Sequence, residues 1–494
     1  MLFTSLSFLA FLAAVAFVYH LLPLSWRRSY LLAASIAFYC TWSIPFAVLL
    51  LAVSALTYTL ALRIEAEPDE AGRWRWLLAG IFVLFAPLLV FKYVSGFGSV
   101  VTLYLGRAEA SKALSAIGLL APIGLSYYTF KLVSYLTDVY WGRLRASHRF
   151  TEVAAYATFF PQILSGPIQR AGDFISQIEA IKPTTTARFV GGLQLLLFGF
   201  FKKMVIADRV GVIIDPVYVS PQSYSDITVA VATYLFAVQV YADFSGLTDI
   251  ARGVARLVGI ESPKNFDQPY YAENIQEFWR RWHMSLTNWV RDYVFIPLRM
   301  SLRNWGHFGL VLSIFVNMVL VGLWHGPWLT FIVFGMIHGA YVYVSAQTFR
   351  KRKALYERTP ALKAMHVVTG PLITFHMLYV TLPFFRAGSL PDAWSSLSKC
   401  AGGLADFALG LGSLTQLSQA WSRIELKWTQ EDLVVVGLAV VVMEIVHTLQ
   451  ARQLLAKLNT QTPGAVRWMV YYGLGISILI WGEMGSRQFI YAGF

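Results

Sequence analysis

Two histidines at the borders of long apolar runs are the residues of this chain best suited to chemistry. His325 closes one such run in GLWHGP (322–327), and His283 lies in FWRRWHMSLTNWVRDYVFIPL (278–298). An imidazole can take the proton of a hydroxyl, and burial lowers its basicity by disfavouring the charged form. Pro327 biases Gly326 away from helical geometry, so the helix carrying His325 is predicted to break just after it. A broken helix end at membrane depth leaves backbone polar groups that need a cavity or packed protein around them. His325 is therefore a candidate general base; the bland alternative is a core histidine held by one hydrogen bond. His338, in FGMIHG, is a third intramembrane histidine and a candidate third member or structural partner. His376 lies within another span with a weaker case, and the remaining histidines fall at span ends or in loops. With no carboxylate or cysteine at ligand spacing, no metal is expected.

The elements that must position these groups are unusual. Drawn as one helix, 278–298 puts Trp279, His283, Leu286, Trp289 and Val290 on one face and Arg280, Arg281, Met284, Asn288 and Arg291 mostly on the other. The segment is too charged to span a bilayer, yet long apolar segments flank it, and polar groups at that depth mark function by default. Asp243 and Asp249, in YADFSGLTDIARGVARLVG (241–259), sit at a predicted span end. A structural ion pair, with an arginine of the 280s helix as one partner, is the expectation there. Lys202 and Lys203 close another predicted span, where anionic lipid or a phosphorylated donor would meet them.

Composition sets the class. The chain has 494 residues, of which 57% are hydrophobic and only 14% charged, whereas soluble domains carry about 25% charged residues. It reads as an all-α integral membrane protein. The net charge of +13 fits cytoplasmic loops facing anionic headgroups, and no motif for nucleic acid accompanies it. Two cysteines, Cys40 and Cys400, form no disulfide framework or metal spacing.

Hydrophobic windows predict about a dozen spans: 5–24, 29–43, 45–62, 77–95, 114–136, 187–206, 228–247, 309–325, 328–347, 366–385, 432–449 and 468–485. The first is expected to be retained, since it lacks a basic n-region and a cleavage site. The apolar stretch 151–168, cut by Pro161, Gly166 and Pro167, is predicted to be a broken or re-entrant helix. No internal repeat is visible, so 1–494 reads as one membrane domain. Basic clusters such as Arg27–Arg28 and Arg350–Lys353 are expected at cytoplasmic loop edges, with both termini outside. No nucleophile elbow, Walker loop, dinucleotide fingerprint or HExxH occurs, which excludes those chemistries.

The ordered series PIGLSYYTFKLVSYLTDVYWG (122–142), TFFPQILSGPIQR (158–170), GFFKKMVIAD (199–208), QVYADFSGLTDIARGVARLVGI (239–260), EFWRRWHMSLTNWVRDYVFIPL (277–298), GLWHGPWLTFIVFGMIHG (322–339), PFFRAGSL (383–390) and QFIYAGF (488–494) resembles the membrane-bound O-acyltransferase superfamily. The similarity is to its bacterial alginate O-acetyltransferase branch. It runs from about residue 120 through the 340s as a motif core, then in fragments through the C-terminal helices 366–494.

That resemblance implies a funnel of about eleven to thirteen transmembrane helices in a bacterial cytoplasmic (inner) membrane. It implies transfer of an acetyl group from cytoplasmic acetyl-CoA, a co-substrate rather than a resident cofactor. The acceptor would be an extracytoplasmic polysaccharide or an acyl-accepting partner protein. His325 matches the family's proposed general base and His283 the second histidine of its WRRWH motif. A base deprotonates the hydroxyl while a hydrogen-bonding neighbour stabilises the tetrahedral oxyanion. His338, Asp243, Trp324 and Asn288 are supporting candidates. Lys202, Lys203, Arg280 and Arg281 are candidates for the phosphates of the donor, because CoA is polyanionic. One departure matters: after IPL the chain runs into the basic RMSLRNWGHFG (299–309), which is closer to the teichoic-acid D-alanyl transferase branch. A D-alanyl carrier-protein donor is thus the alternative within the family, and a transporter or flippase is the rival from another class.

Overall fold

The computed structural model describes residues 1–94, 122–455 and 461–484. The terminal QFIYAGF and part of the predicted span 114–136 lie outside them. Every regular element among the described residues is helical. Nine helices there are long and apolar enough to cross a membrane, from Ile44–Ala66 to Gly464–Trp481. The expectation of about a dozen counted two further N-terminal runs. Those fold as Leu6–Leu21 and Leu24–Cys40, of 16 and 17 residues, near the lower limit of about 17 residues for a span. Much of the apolar surface faces outward. Helix Gly464–Trp481 buries only Ser477 in the protein, and Trp468, Val470, Leu479 and Ile480 are exposed. Such a face needs lipid as its solvent. The chain is a multi-pass membrane protein.

The described chain forms two compact units. The first comprises Met1–Leu196 with Leu247–Lys264. Ser5, Ser43 and Asp69 start three of its helices by accepting backbone N–H groups from Phe8, Phe46 and Gly72. The stretch around 151–168 breaks as expected, into Phe150–Thr158 and Phe160–Ile163. It is packed in protein: Phe159 and Phe160 are buried, and the freed N–H of Phe160 donates to Ser35 Oγ at 3.2 Å. Arg27 and Arg28 depart from the expected solvated loop edge. Arg27 is buried against the Tyr19 ring and donates to the carbonyls of His20 and Leu22, while Arg28 pairs with Glu152 at 2.5 Å. Helix Leu24–Cys40 starts early enough to include both arginines, so they are held by neighbouring elements rather than by water.

The second unit comprises Leu197–Gly246 and the chain from Asn265 onward. It contains a hairpin of two long helices, Gly306–His325 and Leu329–Arg358. A Cβ on Gly322 would meet the Phe331 carbonyl oxygen at 2.1 Å, and one on Gly335 would meet that of Met318 at 2.6 Å. Only glycine lets these backbones approach so closely, the usual device of intramembrane helix pairs. Helix Pro360–Arg386 packs beside the hairpin. The predicted single helix over 278–298 is instead two short helices, Ile275–Arg281 and Met284–Val290, followed by the wider turns of Arg291–Phe295. The break falls at His283, whose φ of 41° is left-handed.

Candidate active site

Asn274 starts helix Ile275–Arg281 by accepting the Glu277 N–H at 3.0 Å. The carboxylate of Glu277 answers by accepting the Glu273 N–H and the Arg281 guanidinium. This fixes the first turn, so that Phe278 and Trp279 face inward while Arg280 stays exposed. The chain then turns at Trp282 and His283. The turn is tied to Asn265, whose carbonyl accepts from Met284 N and whose Oδ1 accepts from Ser285 N at 3.1 Å. The same Oδ1 lies 3.3 Å from His283 Nδ1. An amide oxygen only accepts, so Nδ1 of neutral His283 carries the proton and Nε2 is bare. Nε2 is buried and has no hydrogen-bond partner, and the ring stands edge-on to Phe244 at 4.6 Å. Burial pushes the imidazole down to about 3.

His325 is the last residue of its helix, and the break predicted after it is present, with Gly326 fully extended at φ 179°. The side chain is only 4% exposed and packs against Phe385 at 4.8 Å and Phe331 at 5.9 Å between ring centroids. It lines a cavity within the second unit. The walls come from four stretches of the second unit, among them Trp279 and Trp282, Phe334 and His338, and Tyr379 and Phe385. The lining is mostly aromatic and aliphatic, with a few polar groups among it, as ligand sites are.

His338 lies on this cavity with His325. Its Nε2 is 3.2 Å from Thr381 Oγ1, and the Thr381 hydroxyl spends its own proton on the Leu378 carbonyl at 2.7 Å. The histidine must therefore donate through Nε2 when neutral, and Nδ1 is left as a bare acceptor. Among the described residues His283, Trp324 and Asn288 do not line the cavity, although Trp324 is buried beside His325.

The other predicted residues lie elsewhere. Lys203 binds Asp208 at 2.7 Å and Asp243 at 2.8 Å, all three buried. Asp243 thus finds a lysine as an ion partner, brought to it by the wide turns of Phe201–Asp208. Asp249 pairs with Arg252 of its own helix. Lys202 is 1% exposed, bonded to Ser245 and lying over the Phe198 ring. Of the four cations considered for donor phosphates, Arg280 is the exposed one, and Arg281 is paired with Glu277. His376 is satisfied by Tyr234 and the Leu372 carbonyl. Sequence reasoning missed the part of Trp279 and of helix Pro360–Arg386. Phe385 falls in the quoted PFFRAGSL, but a lone aromatic in an apolar span gives no sign of facing a cavity.

Similarity to known proteins points to one chemistry. Residues 142–359 match the model of the MBOAT, membrane-bound O-acyltransferase family. A probable alginate O-acetylase of Pseudomonas aeruginosa is 33% identical over 426 residues, covering 85% of this chain and 77% of that protein. A peptidoglycan O-acetyltransferase of Helicobacter pylori is 29% identical, over 76% of this chain and 74% of its own. A teichoic acid D-alanyltransferase of Bacillus subtilis is 31% identical, over 53% and 67%.

Proposed function

Because the chain belongs to the membrane-bound O-acyltransferase family and is an O-acyltransferase, we propose that it moves an acetyl group from cytoplasmic acetyl-CoA to an exported cell-surface polysaccharide. The transfer goes directly or through an acyl-accepting partner protein, across the bacterial inner membrane. The observation that carries this is His325 at a broken helix end, opening on an aromatic cavity. His325 takes the proton of the acceptor hydroxyl, whose oxygen attacks the thioester carbon. The tetrahedral intermediate collapses, the C–S bond breaks, and the thiolate leaves with the proton that His325 had taken. Aromatic walls keep water from the thioester and strengthen each electrostatic contact inside. His283 acts as a positioning residue, holding the turn that follows the cavity-lining Trp279. Exposed Arg280 is the side chain of this segment best placed to meet donor phosphates. The alginate and peptidoglycan O-acetylating relatives support acetyl as the group transferred.

The test is transfer of label from radiolabelled acetyl-CoA in proteoliposomes holding acceptor and partner, for wild type and His325→Ala. Transfer by wild type and a loss of about 10²–10⁴ in kcat for the folded variant are expected. Transfer only from a D-alanyl carrier-protein thioester would move the chain to teichoic-acid chemistry. Full activity of the variant would remove His325 from the mechanism.

A further inference from the structure

Acyl transfer needs a hydrogen-bond donor where the oxyanion forms, and that role is unassigned in this cavity. Neutral His283 offers a bare Nε2 and does not line the cavity. The hydroxyls in the walls are already used: Tyr270 donates to the Ala237 carbonyl at 2.7 Å, Tyr379 to Ala230 at 3.0 Å, and Thr381 to Leu378. His338 spends its N–H on Thr381 and turns a bare acceptor the other way, which cannot stabilise an anion. What remains beside His325 are the indoles of Trp279 and Trp282. Trp279 is 6% exposed, and its Nε1–H is buried without any hydrogen-bond partner. An indole N–H nearly always finds a partner when buried, and a specific orphan of this kind requires an explanation. The ring is held at a fixed angle, standing edge-on to His338 with centroids 5.1 Å apart.

We infer that the Trp279 indole N–H is the oxyanion donor of this cavity and that His338, locked by Thr381, is the positioning residue that holds the Trp279 ring. The role rests on the acyl-transfer function proposed above. When the acceptor oxygen forms its bond to the thioester carbon, the carbonyl electron pair moves to oxygen and the hydroxyl proton goes to His325. Trp279 Nε1–H then bonds the oxyanion until the pair returns, the C–S bond breaks and the thiolate takes the proton. A donor fixed in a water-poor aromatic pocket does this without reorganising at the moment of reaction. In the resting cavity its bond is unmade, which accounts for the orphaned N–H.

Trp279→Phe keeps an aromatic ring and removes the N–H. Its kcat should fall about 10²–10³-fold, while KM for acetyl-CoA and binding of carboxymethyl-CoA stay near wild type. Trp279→His, which restores a ring N–H, should recover part of the loss. Thr381→Val should lower kcat severalfold alone but add little to Trp279→Phe, since both act through one ring; a purely structural effect would add in full. If Trp279→Phe does not fold, wild-type enzyme labelled with ¹⁵N-tryptophan answers the same question. Carboxymethyl-CoA, whose carboxylate stands in for the oxyanion, should shift one indole proton downfield, assigned with Trp279→His. His325→Ala inactive beside a fully active Trp279→Phe would overturn the oxyanion role alone; a fully active His325→Ala would overturn the acyl-transfer chemistry beneath it.

Discussion

Two buried polar clusters in this protein differ in how completely they are satisfied. In the first unit Lys131 is enclosed among apolar residues, its Nζ bonded to Gln162 Oε1 at 3.0 Å and lying over the rings of Tyr156 and Phe174. The amide of Gln162 spends both protons, on Gln169 Oε1 and Ser262 Oγ. Gln169 passes its own to the Glu261 carbonyl, and Tyr156 closes the set by donating to the backbone. Each polar side chain from Lys131 to Gln169 thus has a partner inside the set. In the second unit the cavity beside His325 keeps an unspent donor on Trp279 and an unspent acceptor on His338. Connected networks of this kind rigidify a fold, whereas fixed groups with unmade bonds are what a reacting molecule can use. The Lys203 cluster is held by charge instead, its buried cation flanked by two carboxylates.

The sharpest way to break this contrast is at Lys203. Lys203→Met strands two buried carboxylates and should cost about 3–5 kcal/mol, read as lost monodisperse protein or a lower thermal midpoint. Whatever survives should turn over like wild type; a stable variant with a raised KM for acetyl-CoA would instead give Lys203 a place in donor binding. Next, Gln162→Leu removes the one side-chain acceptor of Lys131 and should cost about 3 kcal/mol, again with kcat per folded molecule unchanged. A selective loss of kcat would mean that the first network also serves the reaction.

His283 predicts a pH effect. Its folded value lies well below the ordinary one near 6.5, so the unfolded chain binds the proton more readily. Its share of stability is full above about pH 6.5 and falls as pH drops toward the folded value, by at most about 1.4 kcal/mol per unit. His283→Asn should flatten the acid limb of the stability curve between about pH 6 and 4; an unchanged slope would place the titration elsewhere. The smallest effect is expected at Arg280, an exposed cation. Arg280→Gln should raise KM for acetyl-CoA a fewfold, by about 1 kcal/mol or less, and lower turnover not at all. A change in kcat alone would contradict a role at the donor phosphates.

Much of this was legible in the chain. Hydrophobic length marked most of the spans, because a bilayer imposes a minimum run of apolar residues whatever the tertiary contacts. The Gly326–Pro327 break was legible because proline restricts its neighbour locally. The interruption at 151–168 was legible from Pro161, Gly166 and Pro167, although the break falls at Phe159, just ahead of the helix that holds Pro161. The break at His283 was not, since the left-handed turn there is held by Asn265, far back in the chain, and nothing in WRRWHMSL itself disfavours helix. Arg27 failed in the other direction: a basic pair between apolar runs looks like a loop edge until Tyr19 and two carbonyls are found around it.

The sequence by itself therefore determined an all-helical membrane protein, its acyltransferase motifs, and His325 as the residue at a helix end. The fold class and the helix end follow from composition, periodicity and local backbone restriction, which act over a few turns of chain, whereas the motifs speak only through their resemblance to a known family. Only the tertiary structure decided that His338 and Trp279 share the cavity with His325 while His283 does not line it. Only there could it emerge that Lys202 and Lys203 are enclosed. Which polar atoms are spent depends on partners from distant segments, and a hydrogen bond left unmade can be counted only once every neighbour is in place.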